Sequence, residues 1–269
     1  GLNKELNSLY IYNYFIKNKK NNLVITNSLY EANDVYNRLL NYTNKVLFFP
    51  MDDFITSEVT DISPEFVIDR LTTLNKLLGS GKYIVVTNLM GILRYLPNTR
   101  LYKNKIIDIN KDMDIDRDDF INKLFDLGYE KKPVVSRTGE MAIRGYVIDI
   151  FPIEFDNPIR IEFWGDTIDS IKYFDLENQI SNTSVDSVKI YPYTEFLIDG
   201  KMGDNIIRKQ KYLLNYSDSV SGLWNYVSDS VIFYYDYNQI INSYSLLREN
   251  ILEYDSELDD NIKTNYMWN

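Results

Sequence analysis

Two residue types with strong chemical roles are missing from this 269-residue chain, which contains no cysteine and no histidine. The lack of cysteine excludes disulfides, thiolate catalysis and most structural zinc sites. The lack of histidine removes the commonest general base and the commonest metal ligand. These two absences exclude a large share of the usual catalytic and metal-binding sites.

Long apolar runs and a surplus of positive charge are also missing. No run approaches the roughly 18 apolar residues of a membrane span, and no signal-peptide pattern opens the chain. The formal net charge of −10 would repel a phosphate backbone, because nucleic-acid binding depends on clustered lysine and arginine. We therefore expect a cytoplasmic protein without membrane contact and without direct nucleic-acid contact in this part. The start at Gly1 and the end at Asn269, without an evident cap, predict a piece of a longer protein.

Alternating strands and helices characterise the first third of the chain. Predicted strands at residues 22–26, 45–49 and 83–87 alternate with predicted helices that begin near Ser28 and at Ser63. Strand, helix and strand repetition implies a parallel sheet with helices on its faces. The sequence therefore predicts an α/β domain in this part of the chain.

Local hairpins replace this alternation after Pro97. A strand at 105–109, a helix at 116–127 and three further strands predict a compact α+β unit. The residues that follow predict a third, smaller mixed α/β domain, in this order: a polar linker at Ser181 to Ser184, a strand at 188–191, a mostly helical stretch at 205–216, a strand at 229–236 and a helix from about Asn238. The predicted fold class is thus α/β and α+β multidomain.

One motif resembles a phosphate-binding loop. Gly79 to Lys82 reads Gly-Ser-Gly-Lys, but Lys76 and Tyr83 stand where the motif needs a glycine and a Ser or Thr. The segment also leaves a helix and enters a strand, whereas a phosphate loop leaves a strand and enters a helix. We therefore predict a turn that ends a helix, with no nucleotide site.

A second motif has the spacing that opens a calcium-binding loop. Asp112, Asp114 and Asp116 fit this spacing, but Arg117 and Lys123 stand where the loop needs glycine and glutamate. Carboxylates at the positive end of a helix dipole are the simpler interpretation. We predict no metal site and no catalytic residue.

The stretch from Arg137 to Asp175 contains the most unusual surface. In the strand from Ile159 to Trp164, alternate residues point to opposite faces, and one face carries Arg160, Glu162 and Trp164. From the pattern alone, the simpler interpretation is that Arg160 and Arg144, which precedes the first predicted strand, are solvated arginines and that Trp164 packs over a neighbouring strand. The alternative is that the three form a protein-binding patch, because Arg and Trp are enriched at interface hot spots. Glu162 is interpreted as a restraint on Arg160.

Five segments carry a resemblance to a known family. They resemble the domain shared by UvrB and the bacterial transcription-repair coupling factor, Mfd, and a weaker similarity extends from about Leu23 to Glu195. The segments are Asp126 to Tyr129, Arg137 to Glu140, Ile143 to Pro152, Pro158 to Asp166, and Phe174 to Asp175. The resemblance implies a UvrB-like domain 1A at residues 1–97 that is helicase-like but lacks a phosphate loop. It also implies a UvrA-interaction domain 2 at 98–178 and a domain 1B at 179–269.

Two departures favour the coupling factor over UvrB. UvrB would carry an intact phosphate loop and a long tyrosine-rich hairpin for damaged DNA, whereas in this chain Pro50 and Ser63 are joined by a short link and no Gly-Lys-Thr occurs. The resemblance then implies a non-catalytic module without cofactors that recruits UvrA through Arg144, Arg160 and Trp164. The family more often has Phe at the last position.

Other activities would belong to the rest of the full-length protein. The resemblance implies that it would be an ATP-dependent DNA translocase of helicase superfamily 2, with ATP and magnesium in its motor domains. RNA polymerase and DNA would bind through those further parts, linking stalled polymerase to nucleotide excision repair. Two alternatives are a UvrB-type damaged-DNA-binding ATPase subunit and an adaptor for another protein.

Overall fold

A computed structural model describes residues 4–52, 63–203, 205–257 and 267–268 of the chain. The chain divides into two compact units, the first formed by Gly1–Thr99 with Asn205–Asn269 and the second by Arg100–Asp204. The sequence predicted domain boundaries after residues 97 and 178, whereas the chain passes from one compact unit to the other after residues 99 and 204. The assignment of three separate domains stays a prediction. Most of the link predicted between Pro50 and Ser63 lies outside the described residues.

Helices occur in both units. In chain order, those of the described residues are α1 (Lys4–Asn18), α2 (Leu29–Leu40), α3 (Pro64–Leu77), α4 (Leu89–Leu93), α5 (Thr99–Lys105), α6 (Arg117–Asp126), α7 (Leu213–Tyr216), α8 (Leu223–Tyr226) and α9 (Tyr237–Glu257). A 3-10 helix at Gln210–Tyr212 precedes α7. Across the described parts of the chain, none of these helices is both long and apolar enough to cross a bilayer.

The strands of the described residues are also given in chain order. They are β1 (Asn21–Thr26), β2 (Val46–Phe49), β3 (Ile84–Asn88), β4 (Leu96–Pro97), β5 (Ile107–Asn110), β6 (Glu130–Lys131), β7 (Glu140–Arg144), β8 (Val147–Ile150), β9 (Ile159–Trp164), β10 (Thr167–Phe174), β11 (Ser181–Ser184), β12 (Ser187–Ile190), β13 (Val220–Ser221) and β14 (Ser230–Tyr234).

A four-stranded parallel sheet, in the order β14-β1-β3-β2, forms the centre of the first unit. This confirms the predicted parallel sheet. Every residue of β1, β2 and β3 is buried, as expected of strands with helices on both faces. Ser28 caps α2 by accepting a hydrogen bond from the backbone N–H of Glu31 at 3.2 Å, whereas the Ser63 hydroxyl donates to Glu65 and caps no backbone group of α3.

Strand β14 comes from the last third of the sequence but pairs in parallel with β1. Strands from the first and the last third of the sequence thus share one sheet. Sequence order did not reveal this, because parallel neighbours need a crossover connection whose length a local pattern does not set. The mostly helical stretch predicted at 205–216 is wrong in extent, since regular helix covers only residues 210–216.

The second unit is built on a six-stranded sheet in the order β11-β10-β9-β8-β7-β6, and β5 pairs separately with β12. The polar linker predicted at Ser181 to Ser184 is wrong, because these residues form the edge strand β11, antiparallel to β10. A sheet edge in water holds its place through backbone hydrogen bonds and needs no apolar side chains, so the composition of this strand resembles that of a loop.

An additional strand, β7, precedes the three predicted strands. Arg144 is its last residue and pairs with Val147, so Arg144 lies within the sheet and not before it. Gly145 and Tyr146 form the two-residue turn, and Gly145 has a φ of +57°, a left-handed value that glycine adopts readily.

One face of this six-stranded sheet is apolar. Phe120 of α6 is fully buried and its ring lies 6.1 Å from that of Phe163 on β9. Ile148, Ile161 and Ile171 occupy the same face of three neighbouring strands and are at most 1% exposed.

The opposite face is also covered in part, because Ala142 and Phe174 on that face belong to a second buried hydrophobic cluster. Its exposed remainder, near Arg144 and Trp164, is the part available for function.

Candidate protein-binding site

The candidate site occupies the outer face of β7 to β10. Along β9 the residues alternate between buried and partly exposed, which confirms that Arg160, Glu162 and Trp164 share the outer face. Trp164, at the end of β9, is 83% exposed. Strand pairing with Thr167 fixes the backbone of this tryptophan, and its side chain presents a large apolar surface to solvent.

Asp149 of β8 lies at the centre of this face, and the sequence interpretation did not include it. Its side chain is 1% exposed, and it stands directly opposite Arg160 in the antiparallel ladder. Arg160 binds it with two hydrogen bonds, Nε to Oδ1 at 2.7 Å and Nη2 to Oδ2 at 2.9 Å. Arg144 donates from Nη2 to the same Oδ2. One buried carboxylate therefore holds both predicted arginines.

Arg160 is further fixed by its other neighbours. Its Nη1 donates to the Gln179 carbonyl at 3.2 Å, and its guanidinium lies 4.7 Å from the centre of the Phe174 ring. Only 16% of the side chain is exposed. The hydrogen bonds to Asp149 raise the pKa of Arg160, against the opposing effect of burial. Arg160 is thus a largely enclosed cation with its donor groups already engaged.

Arg144 differs in its exposure. Its side chain is 45% exposed, and only Nη2 donates to Asp149. The neighbouring turn between β7 and β8 is fixed by a hydrogen bond from Arg117 Nη2 to the Gly145 carbonyl at 2.5 Å. The adjacent Tyr146 is 66% exposed. This end of the face is therefore the open end, where an arginine and large aromatic rings meet solvent.

The interpretation of Glu162 as a hydrogen-bonded restraint on Arg160 is wrong, and only the attraction between their charges acts on Arg160. Its carboxylate accepts hydrogen bonds from Lys172 at 2.6 Å and from Ser170, both on the neighbouring strand β10. Hydrogen bonding to Lys172 and then to Ser170 lowers the pKa of Glu162. The reason lies in the register, which places Ser170 directly across from Glu162 and puts Asp149, on the other side, across from Arg160.

A sequence signal for Asp149 did exist. It is the acidic residue within the otherwise apolar run Val147 to Phe151, and the alternation of that run places it on the same face as Val147. A buried carboxylate needs a cation, because an unpaired charge in an apolar environment is costly. Arg160 was the nearest candidate once the two strands were aligned.

The two motifs set aside from sequence lie elsewhere. Gly79 to Lys82 connects the end of α3 with β3, as predicted, so it leaves a helix and enters a strand. Asp116 caps α6 by accepting the backbone N–H of Asp119 at 2.7 Å, which confirms the helix-terminus interpretation. Asp114 accepts a hydrogen bond from Thr167 at 2.5 Å and thereby anchors the turn after β9.

Comparison with known proteins bears on the segment that contains this face. Residues 107–196 match the family described as the UvrB interaction domain. The matched segment includes Asp149 and all three predicted site residues. This finding and the relatives below confirm the resemblance to the N-terminal UvrB-homology module of transcription-repair coupling factors.

Similar proteins carry the name transcription-repair-coupling factor. The chain is 34% identical over 200 residues to one from Staphylococcus haemolyticus, an alignment that covers 74% of this chain and 17% of the relative. It is 32% identical over 219 residues to one from Staphylococcus epidermidis, covering 81% of this chain and 19% of the relative. A Staphylococcus aureus protein of the same name is 34% identical over 200 residues, with 74% and 17% covered. The chain thus spans less than a fifth of the length of these relatives.

Proposed function

We propose that this chain is the UvrA-recruiting module of a transcription-repair coupling factor, which connects stalled RNA polymerase to nucleotide excision repair. The observation that carries the proposal is the open end of the outer face, where Arg144 and Trp164 are exposed within a segment that matches the UvrB interaction domain. Arg160 completes the predicted set of UvrA-facing residues, although its donors are engaged within the chain.

Recruitment would rest on charge and shape. Arg144 would bind a carboxylate of UvrA through its solvent-facing edge, since guanidinium and carboxylate groups form paired charge-assisted hydrogen bonds. Trp164 would fill an apolar recess of UvrA, as aromatic anchors do at interface hot spots. Strand pairing fixes the backbone at both positions, so no backbone segment would have to become ordered on binding.

The module itself would be non-catalytic, as a helicase-like domain that has lost its nucleotide site. In the first unit, the connection from β1 to α2 takes the place where a phosphate loop would lie. There the backbone N–H of Asn27 donates to the Glu31 carboxylate at 3.2 Å, and Ser28 caps the helix. An internal carboxylate at this helix N-terminus would repel a phosphate. ATP and magnesium would then belong to motor domains elsewhere in the full-length protein, as would contacts with DNA and RNA polymerase.

Titration of purified UvrA against this chain tests the proposal. We expect Arg144→Ala and Trp164→Ala each to weaken binding about thirtyfold, because the loss of a central hot-spot side chain typically costs about 2 kcal/mol. Both side chains are exposed, so both variants should unfold at nearly the wild-type temperature.

Matched controls are available in the same chain. Arg137 is an exposed arginine that also pairs with a buried carboxylate, Glu140, and Tyr30 is an aromatic residue of the first unit that is 77% exposed. Arg137→Ala and Tyr30→Ala should leave the affinity for UvrA unchanged. Equal affinities of all four variants and the wild type would contradict the proposal, and ATP hydrolysis or tight damaged-DNA binding by this chain would favour the UvrB-type alternative.

A further inference from the structure

The two candidate arginines are unequal, although both bind Asp149. Arg160 uses Nε and Nη2 on the carboxylate and Nη1 on a backbone carbonyl, and it is enclosed against Phe174. Arg144 reaches the carboxylate through Nη2 alone and leaves nearly half of its side chain in solvent. The geometry separates a structural cation from an exposed one.

We infer that Asp149 is a positioning residue, which with Arg160 as its internal partner fixes the exposed guanidinium edge of Arg144 for UvrA. This inference rests on the proposed function. In it, Arg160 supports Arg144 through Asp149. The two arginines are therefore not equivalent, because Arg144 is the more exposed contact residue and Arg160 holds the carboxylate that orders it.

The charges on this face favour the same assignment. Asp149 carries one negative charge and is bound by two cations, whereas Glu162 and Lys172 neutralise each other. One positive charge therefore remains on the set, and exposure places it at Arg144. In a chain with a formal net charge of −10, this is a local site for a single carboxylate of a partner.

Rigidity is the physical reason that support matters. A free arginine side chain loses conformational entropy when its rotatable bonds are fixed on binding, and this loss reduces affinity. A hydrogen bond from Nη2 to a fixed carboxylate orders Arg144 beforehand. The Asp149 carboxylate is itself fixed by the paired hydrogen bonds from Arg160.

The test replaces Asp149 by its uncharged isostere in the 269-residue chain. In Asp149→Asn we expect the Nε–Hε group of Arg144 to become mobile in ¹⁵N relaxation measurements. We also expect affinity for UvrA to fall at least about tenfold even though Arg144 is still present. A purely structural role of Asp149 would lower the unfolding temperature but leave the mobility of Arg144 in the folded protein unchanged.

Two further variants keep the inference testable. Glu140→Gln removes another buried carboxylate of the same unit, which binds Arg137 and Ser136, and it should leave both Arg144 mobility and UvrA affinity at the wild-type value. If Asp149→Asn does not fold, the charge-balanced double variant Asp149→Asn with Arg160→Gln removes the support without an unpaired buried charge. It should show the same mobile Arg144 and the same loss of affinity.

The outcomes separate this inference from the proposed function. If neither Arg144→Ala nor Trp164→Ala alters UvrA binding, the proposed function fails, but the relaxation measurement still tests whether Asp149 orders Arg144. If Arg144→Ala weakens binding while a folded Asp149→Asn protein keeps both a rigid Arg144 and wild-type affinity, the positioning role is overturned and the proposed function stands.

Discussion

The two faces of the six-stranded sheet consist of alternate residues of the same strands, and both contain buried apolar side chains, but the outer face adds a buried ion pair. The inner face carries Ile148, Ile161 and Ile171, which neighbour one another across three strands and exclude water. The outer face carries Asp149 and Arg160, whose pairing depends on two atoms of each side chain meeting within hydrogen-bond distance. Hydrophobic packing is non-directional, whereas an ion pair of this kind requires a particular register.

The largest expected effect comes from disturbing the inner face. Ile161→Ala should lower the free energy of unfolding by about 4 kcal/mol, because a fully buried aliphatic side chain is removed and a cavity remains. Trp164→Ala, three residues further along the same strand but on the outer face, should change it by less than about 0.5 kcal/mol. Urea unfolding of both variants measures the difference. Similar losses for the two would show that the Trp164 end of the outer face is also part of the core.

A smaller effect distinguishes the two arginines of the outer face. Arg160→Ala should reduce the free energy of unfolding by about 3 kcal/mol, because it removes the main partner of a buried carboxylate. Arg144→Ala should reduce it by less than about 1 kcal/mol, since this side chain is nearly half exposed. Thermal or urea unfolding provides the comparison. The reverse order of stability would contradict the division into a structural and an exposed arginine.

The smallest expected effect concerns Glu162 and acid. The folded-state pKa of Glu162 lies below its ordinary value of 4.5, so the unfolded state takes up its proton first as the pH falls. Its stabilising contribution is therefore present above the unfolded pKa and is lost as pH falls through the lower folded pKa. Glu162→Gln should cost less than about 1 kcal/mol near neutral pH and nothing in strong acid. Urea unfolding over a pH series would contradict this if the difference between the two proteins did not change with pH.

Local patterns predicted the elements that depend on near neighbours. The alternation from Ile159 to Trp164 predicted both the strand and its two faces, and Ser28 and Asp116 marked the starts of their helices. The errors occur where distant backbone pairing decides the structure. Ser181 to Ser184 forms a strand because β10 offers it an edge, although its own composition resembles that of a loop.

The prediction of the site residues was limited in the same way by distant strand pairing. Arg160 and Trp164 came from one face of a predicted strand, Arg144 came from the position just before the first predicted strand, and the family resemblance named all three. The strand register places all three on one sheet face. Asp149 was missed because its importance depends on which residue of β9 lies opposite to it. A shift of the register by one residue would place Arg160 on the other face and leave Asp149 without its partner.

Composition by itself excluded disulfides and chemistry that depends on cysteine or histidine. Local periodicity by itself predicted the parallel sheet of the first unit and the alternation of β9, because periodicity is a property of neighbouring residues. Only the tertiary structure decided that β14 joins β1, that Ser181 to Ser184 pairs with β10, and that one buried carboxylate holds two arginines of unequal exposure. These features depend on strand pairing between residues distant in sequence, where hydrogen-bond geometry and register determine which side chains meet.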